Sequence, residues 1–174
     1  MDIKTIQNQL TEKHQLFSDF VGSLSSDEFS FRKSDKWTAG EQLEHILLSV
    51  RPLRQALSLP KFMLKLIWGQ SNRAGRDYEG LVNKYLSKLE SGGRATGRFI
   101  PKAVPVEKRN RIRRALDHEL RRLCAGLDSF TEKELDQYVL PHPLLGKLTL
   151  REMMFFTIYH VQHHEVLTKK NLEQ

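Results

Sequence analysis

The sequence predicts an all-α protein, a four-helix bundle with a long insertion between the second and third helices. Three observations carry this. Apolar residues recur every three or four positions in four long stretches. Two of those stretches open on a capping box, a threonine followed three residues later by glutamate. No segment shows the alternation or the bounded β-branched run of a strand. Long helices without strands bury their apolar stripes against one another, which gives a bundle. At 174 residues the whole chain, 1–174, is expected to form one domain, long enough to bury a core without disulfides.

The first helix is carried by Ile3, Ile6, Leu10, Phe17, Val21 and Leu24, and His14 falls on the same stripe. "SSDEF" then marks a break. The second helix starts in "KWTAGEQLEHILLSV", with Thr38 as N-cap and Glu41 completing the capping box. Leu43, Ile46, Leu47, Val50 and Leu57 form its buried face. Pro52 lies well inside and cannot donate to the carbonyl of Leu48, which predicts a kink or break. "LPKFMLKLIWG" reads as a turn or two of helix, and "YEGLVNKYLSKLE" as a candidate short helix. "SGGRATGRFIPKAVP" is glycine-rich, basic and loop-like, and it matches neither the dinucleotide nor the P-loop pattern. Pro105 suits the first turn of the third helix, which is expected to reach about Leu127. A connector containing His142 between two prolines follows and reads as a turn. The last helix opens on the Thr149–Glu152 capping box and runs without proline or glycine to about Lys169.

Composition narrows the functional classes. No run approaches the roughly 18 to 20 apolar residues that a membrane helix needs, so no membrane partner is expected. The opening "MDIKTIQNQL" lacks a basic flank before an apolar block, which predicts a cytoplasmic location. The one cysteine, Cys124, sits in a helical apolar pattern and reads as a buried thiol rather than a nucleophile. The formal net charge is +7, and much of the excess lies in "KRNRIRRALDHELRRL". Ile112, Leu116, Leu120 and Leu123 form the stripe of that helix, so its arginines read as a solvated face. Nucleic-acid binding is disfavoured because no recognition motif accompanies the charge. It would require those arginines to gather on one exposed face.

"YHVQHHEVL", residues 159–167, holds three of the chain's seven histidines. Met153, Thr157, His160, His164 and Leu167 step by four and three, which turns His160 and His164 inward on one face. One turn apart, their Cβ atoms stand about 5 to 6 Å from each other, close enough to converge on one ion. His163 is rotated by about 100° and falls to a supporting or surface place. A third ligand is available in His45, on the flank of the second helix's stripe. Neutral imidazole is the commonest nitrogen ligand for zinc, nickel and similar ions.

"KWTAGEQLEHI" followed far downstream by "HPLLGKLTLREMMFFTIYHVQHH" resembles the DinB/YfiT-like superfamily of four-helix-bundle metal proteins. The likeness extends over nearly the whole chain in helix order and spacing, and it is weakest over residues 69–105. It implies that His45, His160 and His164 are the three ligands of one divalent ion between the second and fourth helices. It also implies a metal-dependent hydrolase or a transferase that uses a low-molecular-weight thiol as cofactor.

Three histidines with an open fourth position make a catalytic rather than a structural site. Zinc or nickel is the expected ion, with manganese and iron also accommodated. Glu41, one turn before His45, is a candidate general base or supporting group, with the capping box as its competing role. Trp37 stands where a hydrophobic staple would pack. Arg94, Arg98 and Lys102 offer a basic loop to an anionic small-molecule substrate, and helix faces offer a surface for a homodimer. The alternative is a non-catalytic interaction protein in which the metal site is structural or vestigial.

Overall fold

The computed structural model describes residues 1–173. Its helices are α1 (Ile3–Ser23), α2 (Ser26–Ser30), α3 (Ala39–Leu57), α4 (Lys61–Trp68), α5 (Tyr78–Glu90), α6 (Arg109–Leu127), α7 (Glu132–Gln137) and α8 (Leu150–Leu172). The protein is mostly helical, with one small sheet of β1 (Val139–His142) and β2 (Gly146–Thr149) before α8.

Four long helices, α1, α3, α6 and α8, enclose the core. α1 packs on α6 and α8, and α3 packs on the same two partners. Their directions follow from contacts at their ends. Arg151 donates to the carbonyl of Met1, and Lys169 lies over the ring of Phe20, so α1 and α8 run the same way. Arg54 reaches Glu119, and Gly126 approaches Leu57, so α3 and α6 also run parallel. α1 and α6 oppose each other, since Gln7 meets Asp128 while Asp19 meets Arg113. The chain therefore goes up, down, down and up. Two successive parallel helices need a connection spanning their length, and residues 58–108 supply it.

That insertion is more structured than its composition suggests. α5 is a three-turn helix capped by Asp77, and it packs on α8 through Tyr78 against Phe155 and Tyr85 against Phe156. A single 3₁₀ turn at Gly97–Phe99 interrupts the glycine-rich segment, so the expected loop has an ordered centre. A second 3₁₀ turn, Val106–Lys108, leads into α6, which begins four residues after Pro105 rather than at it.

Three expectations are corrected. Of the kink or break expected at Pro52, the break does not occur: α3 continues through it, because Leu53, Ala56 and Leu57 are buried beyond it and their packing outweighs one lost backbone bond. The connector before α8 is a β-hairpin, with Leu140 paired to Leu148 and both buried. Two four-residue strands, the first containing Pro141, carry too little alternation to be read in advance. His142 accordingly ends β1, where its Nδ1 accepts from the amides of Leu144 and Leu145 and so folds the hairpin turn onto its own ring.

The start of α8 is anchored from several directions. Thr149 Oγ1 accepts from Glu152 N, and the Glu152 carboxylate accepts from Thr149 N. That carboxylate is fully buried and also takes hydrogen bonds from Arg73 and from both the backbone and side chain of Arg76. Burial alone would raise its pKa, but the Arg73, Thr149 and Arg76 bonds prevail and lower it to about 2.

Candidate metal centre

The structure brings His45, His160 and His164 together and leaves the fourth residue named for the site, Glu41, outside the group. One ring nitrogen from each histidine lies within 4.8 Å of the others, and all three residues are buried. His160 Nε2 is 3.1 Å from His45 Nε2 and 3.0 Å from His164 Nε2. α8 supplies two of the rings one turn apart. α3 runs antiparallel to it, as shown by Trp37 meeting Asn171 near one end and His45 meeting His160 further in.

The opposite edge of two of these rings is held. His45 Nδ1 donates to the carbonyl of Phe99 at 2.7 Å. His164 Nδ1 donates to Oε1 of Gln42, which is itself buried. A neutral imidazole that donates from Nδ1 presents a lone pair at Nε2. His45 and His164 therefore turn lone pairs towards His160 Nε2, which can carry one proton at most. Only one of the two short contacts can then be a hydrogen bond, and the other sets lone pair against lone pair unless a cation lies between. The donor set fits a tetrahedral zinc-type ion, for which nitrogen distances of about 2.0 to 2.1 Å to the metal place the ligands about 3.3 Å apart.

The electrostatics favour ligand chemistry as well. Burial holds His160 and His164 well below the ordinary histidine value, and the neighbouring imidazoles lower them further. Burial also lowers His45, against the raising effect of the Phe99 carbonyl. All three are thus neutral at pH 7, with their lone pairs available. No carboxylate belongs to the cluster, so nothing among its ligands would offset the charge of a divalent ion.

Aromatic rings close the sides. Trp37 lies 4.9 Å from His45 and nearly parallel to His164 at 6.1 Å, so it covers the histidines instead of acting only as a staple at the helix entrance. Phe156 stacks on His160 at 4.6 Å, and the ring of His142 lies against Phe156 at 4.3 Å. Tyr85 stands edge-on to His160 and His163. His163 is half-buried beside His164, and burial lowers its pKa too.

The carboxylate of Glu41 is fully engaged: Oε2 accepts from Thr38 N at 2.8 Å, and Oε1 accepts from Arg32 at 2.6 Å. Glu165 pairs with Lys169. Gln162 donates to the carbonyl of Ile158 and the hydroxyl of Tyr78. Cys124 lies between α6 and α1, near Thr11 and the Gln7 carbonyl, with burial raising its thiol pKa. Gln42 and Phe99 are the residues that sequence reasoning missed. A glutamine three positions before His45 on a buried face was a usable signal. A backbone carbonyl 54 residues away was not.

The family described as the DinB superfamily matches residues 9–165 of the chain. No curated protein and no solved structure matches it.

Proposed function

The chain belongs to the DinB superfamily, and on that premise we propose that it is a four-helix bundle of DinB/YfiT-like type holding one divalent metal ion through Nε2 of His45, His160 and His164. The single observation that supports this most is the convergence of three Nε2 atoms at 3.0 and 3.1 Å while two of the rings spend Nδ1 as donors. Zinc and nickel suit three imidazoles best, and manganese or iron can be accommodated.

The activity we assign is that of a metal-dependent hydrolase or a low-molecular-weight-thiol transferase acting on a small molecule. When bound, the ion supplies the acidity that turns a water into hydroxide or a thiol into thiolate near neutral pH. The chain's own contribution is to hold and aim. Gln42 and the Phe99 carbonyl fix which nitrogen of His164 and of His45 faces the centre. Trp37 and Phe156 keep bulk water from the rings. Both carboxylate oxygens of Glu41 have partners, Thr38 and Arg32, so it serves the start of α3.

Metal content tests the reading directly. Purified protein loaded with zinc or nickel should carry one equivalent of metal, and His160→Ala should carry almost none. Equal metal in the two proteins, or none in either, would end the proposal.

One observation favours a second reading, a non-catalytic interaction protein with a structural ion. Phe62, Leu66 and Ile67 on α4 are 69%, 79% and 50% exposed, an apolar face of the kind that marks contact with a partner. Cobalt in place of the native ion separates the readings. An open site changes its visible spectrum on addition of azide or a simple thiol, whereas a closed structural site does not.

A further inference from the structure

α6 carries six of the chain's arginines and divides them by face. Three are used internally. Arg109 donates to the carbonyl of Leu24 and lies over Phe29, Arg113 donates to Ser18 and Asp19, and Arg121 pairs with Asp117. Arg111, Arg114 and Arg122 are exposed, and among the described residues none has a hydrogen-bond or ion-pair partner. His118, also exposed, lies between them in the series 111, 114, 118 and 122.

Steps of three, four and four at 100° per residue confine these four side chains to an arc of about 80°. The arc faces away from the buried stripe of Ile112, Leu116, Leu120, Leu123 and Leu127. Along the axis it runs about 16 Å from Arg111 to Arg122 at 1.5 Å per residue. Lys108, exposed one turn earlier, continues it. The helix has two acidic residues, and neither offsets the arc. Glu119 is buried beneath Arg51 and Arg54, and Asp117 is held by Arg121.

Like charges at these spacings repel and weaken an isolated helix. Among the described residues no carboxylate pairs with Arg111, Arg114 or Arg122, the exposed Glu107 included, so an external polyanion is the natural complement. Arginine favours phosphate, because its planar fork presents paired donors to the phosphate oxygens. A membrane surface is a poorer match. A helix lying in the lipid interface needs exposed large apolar residues beside its cations, and the exposed large apolar side chains of this protein lie off α6, three of them on α4.

We propose that the outer face of α6 docks on the phosphate backbone of duplex nucleic acid through Arg111, Arg114 and Arg122, with Lys108 and His118 at its margins. The contacts are to phosphate, so binding is independent of base sequence. The face is separate from the three histidines and does not depend on their occupancy.

Fluorescence anisotropy with a labelled 20-base-pair DNA of arbitrary sequence tests the proposal. The wild type should bind in the micromolar range at 50 mM salt. Three phosphate contacts give a logarithmic salt slope of about −2.7, a loss of roughly 40-fold between 50 and 200 mM. The triple variant Arg111→Gln, Arg114→Gln, Arg122→Gln removes side chains without intramolecular partners, so its helicity, unfolding midpoint and metal content should match the wild type. Its affinity should fall at least tenfold and its salt slope should approach zero. Absence of wild-type binding at 50 mM salt overturns the proposal, as does equal binding by a folded triple variant. Binding to phosphatidylglycerol vesicles without binding to the duplex overturns it in favour of a lipid surface.

Discussion

A histidine offers a metal only one nitrogen at a time, and the hydrogen bond at the other nitrogen decides which. Gln42 fills this role for His164, from three positions before His45 on the same helix face. Gln42→Leu keeps the bulk and removes the acceptor, freeing the His164 ring to change tautomer or swing. Zinc affinity should fall 10- to 100-fold in competition with a chromophoric chelator. Gln42→Glu, which still accepts from Nδ1, should stay close to wild type. Leucine-variant affinity within twofold of wild type would rule out the orienting role. His160 and His164 were legible in the sequence because one helix sets their separation and phase. The Phe99 carbonyl was not, since every residue carries a carbonyl and only the folded insertion brings this one to His45.

At the scale of elements, the N-terminus of α8 carries a load that its capping box only hints at. Glu152 joins three pieces of chain: the cap at Thr149, the segment holding Arg73 and Arg76, and α8 itself. Glu152→Gln keeps the shape and removes the charge beneath two guanidinium groups. Its expected cost is roughly 2 to 4 kcal/mol, at the lower end because both arginines are about a third exposed. Urea unfolding at pH 7 measures it. A loss below about 1 kcal/mol would mean that the arginines are adequately solvated without their partner. The capping boxes at Thr38 and Thr149 were readable because their chemistry is local. The hairpin and the 3₁₀ turn at Gly97 were not, because their residues acquire order only against α8 and α3.

Across the whole molecule, one buried and one half-buried histidine outside the three-histidine cluster tie stability to pH. Burial lowers both His14 and His142 to about 4. His14 donates from Nδ1 to the Leu10 carbonyl, and its Nε2 is buried without a partner. Nδ1 of His142 accepts from two amides, an arrangement that protonation would break. Above pH 6.5 both residues are neutral in the folded and unfolded chains, and the full stability is present. Below 6.5 the unfolded chain binds protons that the native state refuses down to about pH 4, so stability declines across that window. For His14 the total is on the order of 3 kcal/mol. Chemical denaturation at pH 7 and pH 5 should show His14→Gln losing less stability on acidification than the wild type, whatever its stability at pH 7. An unchanged difference between the two pH values would contradict the assignment. The four long helices could be inferred from periodicity, and the long insertion left room for a crossover, but the residues alone did not fix the up, down, down, up order.

His45 and His160 stand 115 positions apart. During synthesis His45 leaves the ribosome long before α8 exists, and for most of that time the chain has one of the three imidazoles and no pocket. A nascent chain therefore presents no assembled trap for a passing ion. α8 is made after α3 and supplies two of the three imidazoles, so an ion held by the proposed site would be captured only once α8 has packed against α3.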